Sequence, residues 1–123
     1  KAVHADFNPA KIYDVVKAPD GCYWLIDVED GRETLEKSPN KAEALIKEQK
    51  RSGLMVAETI ALGAHTALRH CVDALGSRYN IDGCVAGFSR GDEQEPHSLP
   101  RLVISGINSI SPSHGSASCL LRI

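Results

Sequence analysis

The sequence lacks an apolar run near the ~20 residues that a membrane-spanning helix needs, and residues 1–10 lack the apolar centre of a signal peptide. It also lacks a large excess of one charge, because 14 Lys and Arg stand against 16 Asp and Glu. A protein that binds phosphate backbones needs a basic surface, so we expect no nucleic-acid partner. The sequence therefore predicts a soluble protein that binds neither a membrane nor a nucleic acid.

The chain is also too short for two ordinary domains, and its 123 residues predict a single α+β domain over residues 1–123. Hydrophobic residues make up 42% and charged residues 24%, which is the balance of a chain that folds. Residues 1–10 are expected to be extended or flexible. The cytoplasm is the expected location, and a secreted origin stays open because residue 1 is Lys rather than an initiator Met.

The sequence has no Cys-x-x-Cys pair, and its four cysteines lie far apart at Cys22, Cys71, Cys84 and Cys119. A chain of this size does not need disulfides to fold. An unpaired Cys behaves as a small hydrophobic residue, and each of these has apolar neighbours. We therefore expect four free, buried thiols.

The N-terminal third has the composition of β-strands. Residues 12–17 and 22–29 are rich in β-branched and aromatic residues, and "APDG" between them is typical of a tight turn. A short third strand in "RETLE" would complete a β-meander. Alternation within the second strand predicts a core face formed by Cys22, Trp24, Ile26 and Val28.

Helical signals follow. Ser38 and Pro39 are a helix start, and Gly53 stops a first helix over about residues 39–51. Apolar residues then recur at spacings of three and four, which predicts a second helix over about residues 54–76. A strand in "LMVAETIAL" is the competing interpretation.

Three segments of strand length end the chain, at residues 81–90, 101–107 and 116–123. They predict a C-terminal three-stranded β-meander. The predicted fold is therefore α+β, with an N-terminal β-meander, two helices and a C-terminal β-meander, and with the helices packed on one face of an antiparallel sheet.

The stretch "CVAGFSRGD" combines three motifs that carry chemistry elsewhere. Cys84 and Arg90 have the Cys-x5-Arg spacing of phosphate-transferring cysteine enzymes, and Gly87, Ser89 and Gly91 form the Gly-x-Ser-x-Gly of serine hydrolases. Both motifs require a helix directly behind the nucleophile. The following "GDEQEPHSLPR" contains a Gly and two Pro, so no such helix is expected and we predict no catalytic residue here.

The third motif is the adhesion tripeptide formed by Arg90, Gly91 and Asp92, which requires only exposure on a loop. Its position in a polar loop is suitable, so these residues are a candidate binding site. A solvated turn is the favoured interpretation, because Gly and Asp accumulate in turns in any case.

The five histidines do not converge in the predicted topology, so no metal ion and no cofactor are expected. The topology does bring the end of the second helix, with Arg78 and Tyr79, toward the loop that carries Ser111 and His114. These four residues are the predicted polar binding site.

The favoured function is a non-enzymatic binding or regulatory domain that acts through contact with a protein partner. The alternative is a small enzyme that uses Cys84 or His114 in thiol or phosphate chemistry. A second alternative is a secreted adhesion or effector domain that uses the Arg90, Gly91 and Asp92 loop.

The last eight residues, "SASCLLRI", are apolar on both faces, with Arg122 as their only charge. An exposed edge strand normally carries more charge to prevent pairing with another chain. The sequence therefore predicts a homodimer in which two such strands meet.

Overall fold

The computed structural model describes residues 4–5, 7–66, 68–80, 83–89 and 100–123. The described chain is an α+β fold with two α-helices, as predicted: α1 is Pro39–Glu48 and α2 is Val56–His65. Neither helix has the length and apolar character to cross a membrane. The strands, in chain order, are β1 (His4–Ala5), β2 (Ile12–Asp14), β3 (Leu25–Ile26), β4 (Ser52–Gly53), β5 (Cys71–Asp73), β6 (Ser77–Tyr79), β7 (Cys84–Ser89), β8 (Arg101–Gly106), β9 (His114–Ser116), β10 (Ser118–Cys119) and β11 (Leu121–Arg122).

A five-stranded sheet forms the centre of the fold, in the order β1-β8-β7-β5-β9. β7 and β8 are antiparallel neighbours, as the prediction for residues 81–90 and 101–107 required. However, β1 runs parallel to β8, and β9 runs parallel to β5. The sheet is therefore mixed, and its strands come from both ends of the chain.

The N-terminal strands pair with distant partners instead of with each other. β2 pairs with β6, and β3 pairs with β11, so the predicted hairpin does not form. The predicted core face was wrong, because Cys22 is exposed and Trp24 is 75% exposed. The left-handed backbone of Asp27, with φ of 54°, follows the last residue of β3, so the predicted alternation does not continue from Ile26 to Val28.

Helix α1 begins where the sequence predicted. The Ser38 hydroxyl accepts a hydrogen bond from the Lys41 amide at 3.3 Å, and Pro39 occupies the first turn. The helix buries Ala42 and Ile46. It ends at Glu48, slightly before the predicted boundary.

Helix α2 ends at His65, whereas the helical period predicted a helix to about residue 76. Residues Cys71–Asp73 form β5 and pair on both sides, with β7 and with β9. These long-range backbone hydrogen bonds outweigh the local helical period. Gly76 is a point of close approach and not a helix end, because a Cβ there would lie 2.6 Å from the carbonyl oxygen of Gly53.

The two helices pack against opposite faces of β7, which differs from the predicted packing on one face. Phe88 faces α2 so closely that a Cβ on Gly63 would lie 2.2 Å from its ring. Val85, on the other face of the same strand, belongs to a second cluster with Ala42, Ile46 and Leu75. The core is therefore divided between the two faces of the central sheet.

The C-terminal segment pairs within the chain. β10 pairs with β4, and β11 pairs with β3. The prediction of a homodimer rested on an unpaired terminal strand, and the structure removes that particular reason for it.

Candidate functional site

The structure separates the four residues of the predicted polar site into two groups. Ser111 and His114 line one pocket, whereas Arg78 lines another. Tyr79 is buried, and its ring meets Phe7 edge to face at 5.0 Å. Arg90, Gly91 and Asp92 lie outside the described residues.

The described part of "CVAGFSRGD" lies on β7, and its Gly and Ser have structural explanations. A Cβ on Gly87 would lie 2.8 Å from Oδ1 of Asp73, so the glycine leaves room for that carboxylate. Ser89 is directly beside Cys71 and hydrogen-bonds its thiol. Cys84 points to the face opposite Ser89, because the two are five positions apart on a regular strand.

One face of the central sheet carries three side chains that sequence analysis did not combine. Cys71 and Asp73 are two positions apart on β5 and therefore share a face. β9 lies parallel to β5 with His114 directly opposite Cys71, which brings the imidazole to the same face. We call Cys71, Asp73 and His114 the thiol site.

The imidazole of His114 is at the centre of the thiol site. Its Nδ1 lies 3.6 Å from Asp73 Oδ1 and 3.4 Å from the hydroxyl oxygen of Ser105. Cys71 is the register partner of His114 across β5 and β9, and the thiol and the imidazole each shift the pKa of the other. The Asp73 side chain is 2% exposed and the His114 side chain 24%, so the carboxylate lies beneath an imidazole that reaches solvent.

These interactions shift the pKa values of His114 and Cys71 in opposite directions. The Asp73 carboxylate, followed by Cys71, raises the pKa of His114 to about 10 despite the opposing effect of burial. The hydrogen bond with His114, more than that with Ser89, lowers the pKa of the Cys71 thiol, although burial opposes this. The site therefore favours a thiolate beside an imidazolium, which is the activated state of a cysteine nucleophile.

Asp73 Oδ1 is the one buried side-chain oxygen or nitrogen in the described part of the chain without a hydrogen-bond partner. Leaving such an atom unpaired is costly. Its nearest cation is His114 at 3.6 Å, which is within ion-pair range but too long for a hydrogen bond. In catalytic sites such contacts are often long without substrate and shorten in the reacting complex.

A pocket of about 260 Å³ opens beside His114 and Asp73. Its wall is rich in hydroxyl groups, contributed by Ser105, Ser109 and Ser111. It gives a small polar molecule access to the imidazole. Within the described ranges, no group of three His, Cys, Asp or Glu side chains is arranged to hold a metal ion.

Sequence analysis singled out His114 but missed Cys71 and Asp73. Both were assigned to the predicted second helix, where they would lie on different faces. The available signal was "CVD", in which an apolar residue separates two polar ones as in a half-polar strand.

No curated protein matches the chain, and no solved structure matches it. The model of a family described as a family of unknown function (DUF5701) matches residues 3–89, which include Cys71 and Asp73 but not His114. Since the match spans more than half of the chain, the protein belongs to the family of unknown function DUF5701.

Proposed function

We propose that the domain is a small thiol enzyme in which Cys71 is the nucleophile. The observation that carries the proposal is the position of His114 between Cys71, its register partner on β5, and Asp73 at 3.6 Å, with the imidazole and the carboxylate lining a pocket. Sequence analysis ranked an enzyme behind a protein-binding domain. The convergence of a base, an orienting carboxylate and a pocket supports the enzyme as the first proposal.

The reaction class that suits this site is acyl transfer to water. The Cys71 thiolate attacks the carbonyl carbon of an ester or thioester, and the leaving group departs with a proton from the His114 imidazolium. His114 then takes a proton from water, and the hydroxide releases the acyl group as a carboxylic acid and regenerates the thiolate. Asp73 orients the imidazole and stabilises its positive form.

The test compares two half-buried cysteines on opposite faces of the same sheet. Cys71→Ser is expected to abolish hydrolysis of an activated thioester, because the hydroxyl has no lowered pKa. Cys84→Ser is the matched control and is expected to retain the activity. The readout is the rate of thiol release, measured on variants whose circular dichroism shows that they remain folded.

A second measurement does not require the natural substrate. Site-resolved mass spectrometry after brief treatment with iodoacetamide is expected to find faster modification at Cys71 than at Cys84. His114→Ala should slow alkylation of Cys71 at neutral pH and leave Cys84 unchanged. Equal rates at the two thiols, or no effect of His114→Ala, would exclude the thiolate–imidazolium pair and with it this function.

We also propose, as a second candidate, that the domain associates with a second copy through an apolar strip. The strip consists of Trp24, Leu121 and Ile123, which are 75%, 41% and 63% exposed. Trp24 and Ile123 exchange backbone hydrogen bonds, so the three side chains share one face of the β3–β11 ladder. An exposed apolar surface of this kind is typical of an interaction site.

The absence of charge on the strip supports self-association. Arg122, the charge expected to discourage pairing, has a side chain only 6% exposed and an ion pair with Glu58. An uncharged apolar surface is complementary to another copy of itself around a two-fold axis. Light scattering at micromolar concentration should therefore give twice the monomer mass.

The location of this interface is tested with two matched substitutions. Leu121→Lys is expected to give a monomer, because it places a charge in the strip. Ile110→Lys alters a more exposed apolar side chain in the β8–β9 loop and should leave the dimer intact. A monomeric parent protein, or a dimer that survives Leu121→Lys, would contradict the proposal.

A further inference from the structure

A second pocket, of about 340 Å³, is lined in part by helix α1 and shares no lining residue with the pocket beside the thiol site. Its volume is at the lower end of the ~300–1,000 Å³ that small-molecule pockets occupy. Apolar walls come from three different parts of the chain, with Val15 and Val16 in one, Ile46 in the second and Leu75 in the third. The pocket suits a small ligand with an apolar body.

The charged side chains of this pocket are mostly cationic. Lys47, Arg51 and Arg78 line it together with one carboxylate, Glu43. Arg51 is already neutralised by Asp27, at 2.9 Å from Nη1 to Oδ2. Glu43 is shared, because its Oε1 lies 2.6 Å from Arg78 Nη2 and 3.6 Å from Lys47 Nζ. Glu43 is the one carboxylate for both Lys47 and Arg78. One positive charge therefore has no counterion among the described side chains that line the pocket.

The guanidinium of Arg78 is held in place for binding. Its Nη1 donates to the carbonyl oxygens of Leu75 and Ser77, and its Nη2 donates to Glu43. These bonds use three of its five N–H groups in the described part of the chain. A rigid guanidinium with remaining donors is a preorganised partner for an oxyanion.

We infer that this pocket binds a small organic monoanion with an apolar body, such as a carboxylate with a short alkyl chain. The alkyl part contacts Val15, Val16 and Ile46, and the carboxylate meets Lys47 and Arg78. This ligand site is separate from the thiol site and does not depend on the proposed enzyme activity. Arg78, which the sequence indicated as a binding residue, is its central donor.

The experiment is a titration of the ¹⁵N-labelled protein with octanoate, followed by amide chemical shifts. Saturable shifts are expected at Val16, Lys47 and Gly53, which line the pocket. Octanol, which has the same apolar body without the charge, should bind more weakly. An absence of saturable shifts up to the solubility of octanoate, or equal binding of octanol, would overturn the inference.

Two substitutions in the pocket should act in opposite directions. Lys47→Met is expected to weaken octanoate binding by up to about fivefold, the range of an exposed ion pair. Glu43→Gln removes the competing carboxylate and should tighten binding. Lys41→Met, an exposed lysine of the same helix outside the pocket, is the matched control and should have no effect.

Thermal unfolding is measured for each variant, so that a change in binding is not confused with a loss of structure. Equal affinities of the Lys47→Met and Lys41→Met proteins would overturn the inference. So would weaker binding by a folded Glu43→Gln protein, because it would show that the carboxylate is not a competitor.

Discussion

Two buried ion pairs of this domain differ in how completely their atoms are paired. The Glu58–Arg122 pair is 4% and 6% exposed, and each Glu58 oxygen accepts two hydrogen bonds. The Asp73–His114 pair is joined at 3.6 Å, and Asp73 Oδ1 has no hydrogen-bond partner among the described residues. A satisfied pair of this kind holds structure in place. An ion pair with an unpaired oxygen can still form a new hydrogen bond during a reaction, as a catalytic group must.

The position of each pair in the fold agrees with this difference. Arg122 also donates to Ser52 Oγ and to the Gly53 carbonyl, each at 2.8 Å, so the pair connects the last strand to β4. Glu58 accepts the amide of Met55 at the start of α2. His114, in contrast, faces a pocket and contacts a thiol. The Glu58–Arg122 pair therefore joins secondary-structure elements, whereas the Asp73–His114 pair is accessible to a ligand in the pocket.

The largest expected effect is on the Glu58–Arg122 pair. Arg122→Met leaves a buried carboxylate without its partner, which should lower the free energy of unfolding by about 3–5 kcal/mol. Denaturant unfolding measures this loss. Arg32→Met is the matched control, because the Arg32 side chain is largely exposed and its ion pair with Asp30 should contribute about 1 kcal/mol or less.

A double variant distinguishes an unpaired charge from a simple loss of packing. In the Glu58→Gln, Arg122→Met protein neither side chain of this pair is charged, and the glutamine oxygen still accepts a hydrogen bond from the Met55 amide. Its stability is therefore expected to be higher than that of Arg122→Met alone. If the double variant is less stable than the single one, the pair does not have the role assigned to it.

Sequence analysis identified α1 and the start of the C-terminal strands because their signals are local. Ser38 and Pro39 define a helix start within a few residues, and alternation marks β7 and β8. The thiol site has no such local signal. Cys71 meets His114 only because β5 and β9 pair in parallel over a long sequence separation, and no short pattern encodes that register.

The error in the second helix has the same physical cause. Leu68 and Val72 are buried and fit a helical period, so residues 66–76 resembled a continuation of α2. Asp73 on a presumed solvent face seemed ordinary, although in the sheet it is almost completely buried. A strand that buries polar side chains on one face lacks the polar–apolar alternation of a half-exposed strand. It also lacks the continuous apolar sequence of a strand that is buried on both faces.

The next largest effect is expected at Gly87, which makes room for the unsatisfied pair. Gly87→Ala places a Cβ 2.8 Å from Asp73 Oδ1, and this overpacking should cost about 1–3 kcal/mol of unfolding free energy. It should also slow alkylation of Cys71, because the displaced carboxylate no longer supports the imidazolium. Gly106→Ala on β8 is the control, since the nearest atom to its Cβ lies 3.7 Å away. Equal stability of the two variants would show that Asp73 is not confined as described.

The pH dependence of stability separates the two pairs most directly. The pKa of His114 is raised from about 6.5 when unfolded to about 10 when folded, so its stabilising contribution is complete below about pH 6.5. That contribution is lost as the pH rises toward about 10. The contribution is measured as the difference in unfolding free energy between the single variant Cys71→Ser and the double variant that combines Cys71→Ser with His114→Gln. This difference should shrink as the pH rises over this range. Both proteins lack the Cys71 thiol, because a thiol with a lowered pKa would change stability with pH in the opposite direction.

The Glu58–Arg122 pair provides the control for this measurement. Burial opposes ionisation of Glu58, but its hydrogen bonds from Arg122, the Met55 amide and Tyr23 hold its pKa below the usual value. The contribution of Glu58 is therefore lost only as the pH falls through that lowered pKa, and the pKa of Arg122 is raised. The effect of Arg122→Met on stability should thus be constant between about pH 6.5 and 9, while the effect of His114→Gln declines. A decline in both, or in neither, would mean that the two ion pairs do not differ in the way that their hydrogen bonds indicate.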